Sequence, residues 1–210
     1  MKYLFIDSST DILTIALTND DDILGNINYN ATNKHSKYIM QGLKELFEET
    51  GIKKEKIDKI FVINGPGSFT GIRIGVALAK VYAWALKKEV IPISTLKAYA
   101  LSSLEEANNY VSVIDARRGY VYAGLYKKDY QEIFKPCYIK IDLLKKRINR
   151  LKGSITINGN INICSINKTN EVSLDVMKII NYYKHENPVN PHLLNPQYLK
   201  KTEVEGNLSR

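Results

Sequence analysis

The sequence predicts a duplicated α/β fold of two lobes, each a mixed sheet with flanking helices. Three observations predict it. The order strand-strand-strand-helix-strand-helix is read twice along the chain. Ile6-Asp7 closes the first strand of one half and Ile114-Asp115 closes that of the other. The stretch VING at 62–65 is echoed at the equivalent place by TING at 156–159.

Residues 3 to 29 read as three strands, YLFID, ILTIALT and ILGNINY, separated by the turn-forming SST and NDDD. KHSKYIMQGLKELFEETG then places Ile39, Leu43, Leu46 and Phe47 at helical spacing and stops at Gly51. KIFVIN is an apolar run of strand length, a glycine turn leads from it into a helix from about Thr70 to Leu86, and EVIPIS is the next strand. In the second half YVSVIDARRGYVYAGLY makes two strands about a tight turn at Arg117 to Gly119, and EIFKPCYIK supplies a third. IDLLKKRINRL, SITINGN and SLDVMKIINYYK follow as helix, strand and helix. A helical segment from Thr95 to Ala107 joins the halves, which divide into lobes at 1–100 and 101–210. The tail from Asn187 carries three of the six prolines and is expected to be largely irregular. Two lobes that each open on a meander ending in Asp resemble the actin-like (ASKHA, duplicated ribonuclease-H-like) fold of actin, sugar kinases and the Hsp70 ATPase. In that fold the two carboxylates face a nucleotide cleft, an analogy that by itself says nothing of function.

The 210 residues are 44% hydrophobic and 25% charged, as expected of a chain with a full core. Thirty basic against 22 acidic residues leave a net charge of +8. Between Lys127 and Lys152 nine Lys/Arg stand against three Asp/Glu, a local +6 that reads either as a polyanion-steering face or as a solvated helix. Only four apolar residues separate Lys2 from Asp7, too few for a signal peptide, and no run approaches the ~20 apolar residues of a membrane span. A cytoplasmic chain that engages no membrane is expected. Cys137 and Cys164 lack metal-ligand spacing and read as free, partly buried thiols. The histidines are His35, His185 and His192; one turn after His35 stands Ile39, so no two-histidine helix site exists, and His35 reads as a capping or surface residue.

The most informative stretch is INGPGSFTGIRIGVALAK at 63–80. It fits neither the Walker loop nor the dinucleotide fingerprint, which needs a third glycine where Thr70 stands. Two readings remain: backbone N–H groups holding an anion at a helix start, or a strained turn with Ser68 or Thr70 as cap. Gly71, Gly75 and Ala79 fall on one helix face, and each interior glycine costs about 1 kcal/mol of helix propensity. Such a face has a packing reason, either the protein's own core or a partner's helix. The cleft is thinly equipped for nucleotide: Asp7 is followed by Ser8, Ser9 and Thr10 where actin-like ATPases carry glycine, and no Gly-Gly occurs. Arg117 and Arg118 after Asp115 read as phosphate ligands or as hairpin charges. Ser68 lies in no G-x-S-x-G elbow.

IDSST, HSKYI, INGPGSFTGIRIGVALAK, DARRGYVYAGLY and NPQYLKK stand in the order and at the distances of the bacterial TsaB (YeaZ) family, which the chain resembles over nearly its whole length. The resemblance implies a non-catalytic partner of TsaD, its paralogue, which moves a threonylcarbamoyl group from threonylcarbamoyl-adenylate to the adenosine beside the anticodon of tRNAs reading codons that begin with adenine. TsaC makes the adenylate, and TsaE, an ATPase, completes the system. It further implies loss of the paralogue's metal-binding histidine pair, a heterodimer with TsaD through the two helices of the first lobe, a homodimer through the same surface when TsaD is absent, and contact with tRNA through the complex. Carried onto this chain, the expected interface is Tyr38, Ile39, Gly42 and Leu46 in one helix and Ile72, Gly75, Val76 and Ala79 in the other. It would bury ~800 Å² on each partner. Gly75→Leu is expected to abolish TsaD binding and leave a folded monomer. No catalytic residue, metal or cofactor is implied; Asp7, Ser8, Thr10, Asp115 and Arg117 become a vestigial cleft, with at most weak nucleotide binding there or at the joint with TsaD. IDSST replaces the more usual Asp-Thr-Ser-Thr and keeps its hydroxyls. The rival readings are a stand-alone ATPase or kinase using Asp7 and Asp115, a peptidase, and a direct tRNA binder through Lys127 to Lys152.

Overall fold

The computed structural model describes residues 1–32, 34–161 and 169–200. Asn33, the residue before the expected helix, Cys164, and the tail beyond residue 200 lie outside the described residues. The chain forms two compact units: Met1–Thr95 with Asp175–Gln197, and Leu96–Leu174 with the chain from Tyr198.

In the first unit β1 (Tyr3–Asp7), β2 (Ile12–Thr18) and β3 (Ile23–Asn30) form an antiparallel meander. It is followed by α1 (His35–Thr50), β4 (Lys59–Gly65), α2 (Phe69–Leu86) and β5 (Glu89–Ser94). β4 and β5 run parallel to β1, giving the sheet order β3-β2-β1-β4-β5. β1 lies at the centre with both faces covered, which is why YLFID is buried at every position rather than at alternate ones. β5 lies at the edge, where the missing N–H of Pro92 breaks no ladder between two strands. The register sets Ile6 opposite Ile15 and Val62, and Ile15 opposite Ile27, so one apolar row crosses the sheet. Ile39, Leu43 and Leu46 of α1 and Ile72, Val76, Ala79 and Ala83 of α2 bury themselves in the same cluster. Both helices therefore cover one face of the sheet.

The second unit repeats the plan with β6 (Asn109–Asp115), β7 (Tyr120–Lys127), β8 (Glu132–Lys140), α4 (Ile141–Ile148), β9 (Ile155–Gly159) and the short β10 (Thr169–Asn170). Its sheet order is β8-β7-β6-β9-β10, with β6–β7–β8 antiparallel and β9 and β10 parallel to β6. β6 thus occupies the place of β1, and Asp115 that of Asp7. The core joins Val111, Val113, Val121, Ala123 and Leu125 to Leu144 and Ile148 of α4.

Two expectations change. The connecting helix α3 is Thr95–Leu101 only and stops six residues short of Ala107. The lobes do not divide at residue 100, because α5 (Val176–Tyr183) and the chain after it return to the first unit. Lys59 Nζ donates to the Lys184 carbonyl at 3.3 Å, Val189 bridges Val90, Leu194 is buried in the first core, and the Gln197 amide donates to the Asn64 carbonyl at 2.7 Å. Apart from that bridge and one 3₁₀ turn at Pro191–Leu193, the described tail is irregular in backbone, yet it is seated by these bonds.

Candidate partner-binding surface on the first unit

The glycine turn is filled by the chain itself. Ser68 caps α2, its Oγ accepting from the Gly71 amide at 3.2 Å, while its own amide donates to the Ser9 carbonyl at 2.7 Å. A Cβ on Gly67 would stand 2.3 Å from the Ser9 oxygen, one on Gly71 2.0 Å from the Ser8 oxygen, and one on Gly75 2.3 Å from Ser8 Oγ. The row Gly67, Gly71, Gly75 is therefore the seat of the β1–β2 turn, and Ser8 Oγ locks it by donating to the Gly71 carbonyl at 2.8 Å. Of the two readings open from sequence, the cap and packing on the protein's own core describe this helix.

Asp7 is buried, and its Oδ1 accepts from the Ser9 amide at 2.7 Å. Asp115 repeats the device, accepting from the Arg117 amide at 2.8 Å, but it is exposed. Both carboxylates thus spend one oxygen on holding their own hairpin turn. Thr10 Oγ1 is engaged with the backbone of Ile12. Of the five cleft candidates, Asp7, Ser8 and Thr10 belong to the first unit and Asp115 and Arg117 to the second. His35 is neither a cap nor on the surface: it is 5% exposed, and its Nε2 lies 2.7 Å from the Thr10 carbonyl, tying the start of α1 to the β1–β2 turn. Among the described residues no three His, Cys, Asp or Glu side chains converge as a metal site. Cys137 is half-buried in β8, and burial raises its thiol pKa.

Burial pushes the Asp7 carboxyl up to about 6, against the lowering pull of Ser9 and of nearby His35. A folded-state pKa above the ordinary value means that the folded protein holds this proton more tightly than the unfolded chain does. The stability from Asp7 is complete below about pH 4 and is lost as pH rises through about 6. Asp7→Asn keeps the acceptor for Ser9 and removes the ionisation. It is expected to raise stability at pH 7.5 by ~1–3 kcal/mol, with the gain shrinking toward zero near pH 4 in thermal melts across that range.

The eight expected interface residues point elsewhere than expected. Ile39, Leu46, Ile72, Val76 and Ala79 are at most 3% exposed in the first unit's own core. A Cβ on Gly42 would meet Ile15 at 3.1 Å and Tyr29 at 3.2 Å, and Gly75 lies against Ser8. Tyr38 stacks on Tyr29 of β3 with ring centroids 5.1 Å apart, and Tyr29 donates to Glu45. Gly75→Leu would accordingly disrupt the first unit itself rather than leave a folded monomer. The face of α2 turned away from the sheet is a second apolar stripe, which the sequence reading passed over: Phe69 is 57%, Val81 59% and Trp84 65% exposed, with Ala77 and Ala85 exposed between and beside them. Arg73 in the same stripe lays its guanidinium 3.7 Å from the Phe69 ring centroid. α1 adds Met40, 55% exposed. By length and mean composition α2 is apolar enough to cross a membrane, although Arg73 and Lys80 interrupt its apolar run; it is a helix seated on a sheet by one apolar face and carrying another outward. The signal was present in the spacing 69, 73, 77, 81, 84, which runs parallel to the glycine row and is apolar at every position but Arg73.

Two copies of a five-stranded unit, each with its central strand ending in Asp, define a protein of the actin-like, duplicated ribonuclease-H-like class. A structure from Pseudomonas aeruginosa described as an uncharacterized protein with similarity to peptidase YEAZ has this fold, with a TM-score of 0.77 at 19% identity over 95% of this chain and 99% of that one. The chain belongs to the family described as TsaD: tRNA N6-adenosine threonylcarbamoyltransferase, whose model matches residues 22–177. Within it the chain is similar to the proteins called TsaB or YeaZ. It is 36% identical to the tRNA threonylcarbamoyladenosine biosynthesis protein TsaB of Bacillus subtilis (strain 168) over 127 residues, 60% of this chain and 56% of that relative. The TsaB of Escherichia coli (strain K12) is 28% identical over 73% of this chain and 68% of that protein. The match to the Bacillus subtilis protein spans little more than half of that relative's length.

Proposed function

We propose that this chain is the non-catalytic partner of TsaD in the transfer of a threonylcarbamoyl group to tRNA adenosine, and that it docks through the outward face of α2. The observation that carries the proposal is the exposed stripe Phe69, Val81 and Trp84 on a rigid, sheet-backed helix. Exposed large aromatic side chains of this kind mark protein contact surfaces, and Trp and Arg are the residues most often dominant in them. Its paralogue carries the same fold, so a matching helix pair on TsaD supplies the complementary face, and a second copy of this chain supplies it when TsaD is absent. The closed β1–β2 turn supports a scaffold over an ATPase: Ser8 and Ser9 fill the ground beside α2, and Asp7 is buried against its own turn.

The deciding experiment is threonylcarbamoyl transfer to tRNA by TsaD, TsaC and TsaE of the same organism, with and without this chain. Modification is expected only when the chain is present and is expected to survive Asp7→Asn. Equal modification without the chain, or its loss in Asp7→Asn, would overturn the scaffold reading.

A further inference from the structure

The second unit holds a groove of about 1090 Å³ at the end of its sheet where β6 begins and β7 ends. That is the end away from Asp115, about 20 Å along β6 at the usual strand rise. Lys127, Lys128, Arg150 and Lys152 line it, against one carboxylate, Asp129. Of the chain's net +8, the stretch from Lys127 to Lys152 supplies +6, nine basic less three acidic residues. The structure gathers both ends of that stretch into one concavity although they lie 25 positions apart.

The groove has a rigid wall. Gly153, at φ +83, brings the loop so close to Asn108 that a Cβ would stand 2.5 Å from its Oδ1. Ser154 donates to that oxygen from both its amide and its hydroxyl at 2.9 Å, and the Asn109 amide group donates to the Lys152 carbonyl at 2.7 Å. The loop carrying Arg150 and Lys152 is thereby pinned to the strand beside Lys127. Lys128 pairs with Glu106 at 3.0 Å, both well exposed, a pair that competes weakly with a ligand. Among the described residues Lys127, Arg150 and Lys152 form no ion pair.

We infer that this groove binds the phosphodiester backbone of tRNA, holding the substrate of the assembly on the second unit while α2 of the first unit holds TsaD. Three unpaired cations on a fixed wall suit phosphate spacing, and backbone contact needs no base reading. This inference rests on the proposed function for the choice of RNA as the polyanion.

The test uses the full chain alone and a fluorescein-labelled tRNA transcript, with anisotropy read from 50 to 200 mM salt. Wild type is compared with the triple variant Lys127→Gln, Arg150→Gln, Lys152→Gln and with a control that removes three exposed charges on the first unit, Lys53→Gln, Lys54→Gln, Lys56→Gln. The triple variant is expected to bind ~10- to 100-fold more weakly at 100 mM salt, with the slope of log K against log salt shallower by about 2 to 3. The first-unit control, which removes the same charge away from the groove, is expected to keep the affinity within about threefold of wild type. An unchanged affinity and slope in the triple variant, or no binding by wild type at 50 mM salt, would overturn the groove. Co-purification with TsaD separates the two readings: the triple variant is expected to retain TsaD, whereas failure of wild type to retain TsaD would strike at the proposed function and leave the anisotropy result standing.

Discussion

Val81→Glu with Trp84→Glu is expected to abolish association with TsaD, weakening Kd at least ~1,000-fold, while the isolated chain still unfolds in one cooperative transition. Both side chains are more than half exposed, so neither supports the first unit's own core. With Trp84 65% exposed, burying the remainder removes on the order of 100–160 Å² from water, worth roughly 2.5–4 kcal/mol before the costs of association. Central Trp residues commonly cost 2 kcal/mol or more on truncation. Two carboxylates desolvated in an apolar contact add a further penalty. Calorimetric titration with TsaD, beside a thermal melt of the variant alone, checks both halves of the expectation. A Kd within threefold of wild type would mean that the outward face of α2 is not the docking surface.

That expectation differs from the one the residues first suggested, and the difference marks where sequence stops being informative. The meanders, the parallel strands and the duplication were legible because period-2 and period-3.6 patterns depend on local chain geometry. The echoes at Asp7 and Asp115 were legible because both carboxylates perform one local task, accepting from the amide two residues on. The orientation of α2 was not. Its two opposite faces are both apolar, one built from Gly71, Gly75 and Ala79, the other from Phe69, Ala77, Val81 and Trp84, and periodicity alone does not say which meets the sheet. The choice is made by Ser8 and Ser9, some 60 positions earlier, whose backbone fits only against glycine. The return of α5 and the tail to the first unit was hidden for the same reason: the bonds from Lys59, Asn64 and Val90 join residues more than 90 positions apart. His35 looked like a surface residue until its acceptor, the Thr10 carbonyl, was placed beside it.

The glycine row yields the other large effect, and its sign separates a core face from a partner face. Gly→Ala inside an exposed helix normally stabilises by about 1 kcal/mol. Here Gly75→Ala is expected to destabilise the isolated chain by ~1–3 kcal/mol, because the new Cβ would lie 2.3 Å from Ser8 Oγ. Gly71→Ala is expected to cost more, ~3 kcal/mol or above, because its Cβ would lie 2.0 Å from the Ser8 backbone oxygen, which cannot move without displacing β1 beside buried Asp7. Ser8→Ala discriminates between the two. It removes the hydroxyl that donates to Gly71, a loss of ~0.5–1.5 kcal/mol, and at the same time vacates the space that the Gly75 methyl needs. Combined with Gly75→Ala it should therefore cost less than the sum of the two single changes, a coupling of about 1 kcal/mol or more. Combined with Gly71→Ala it should give no such relief, since the clashing atom is backbone. Denaturant unfolding of the six proteins measures the cycle. If Gly75→Ala instead stabilised the isolated chain and weakened only TsaD binding, the glycine face would be the partner's and the stripe through Trp84 would lose its claim.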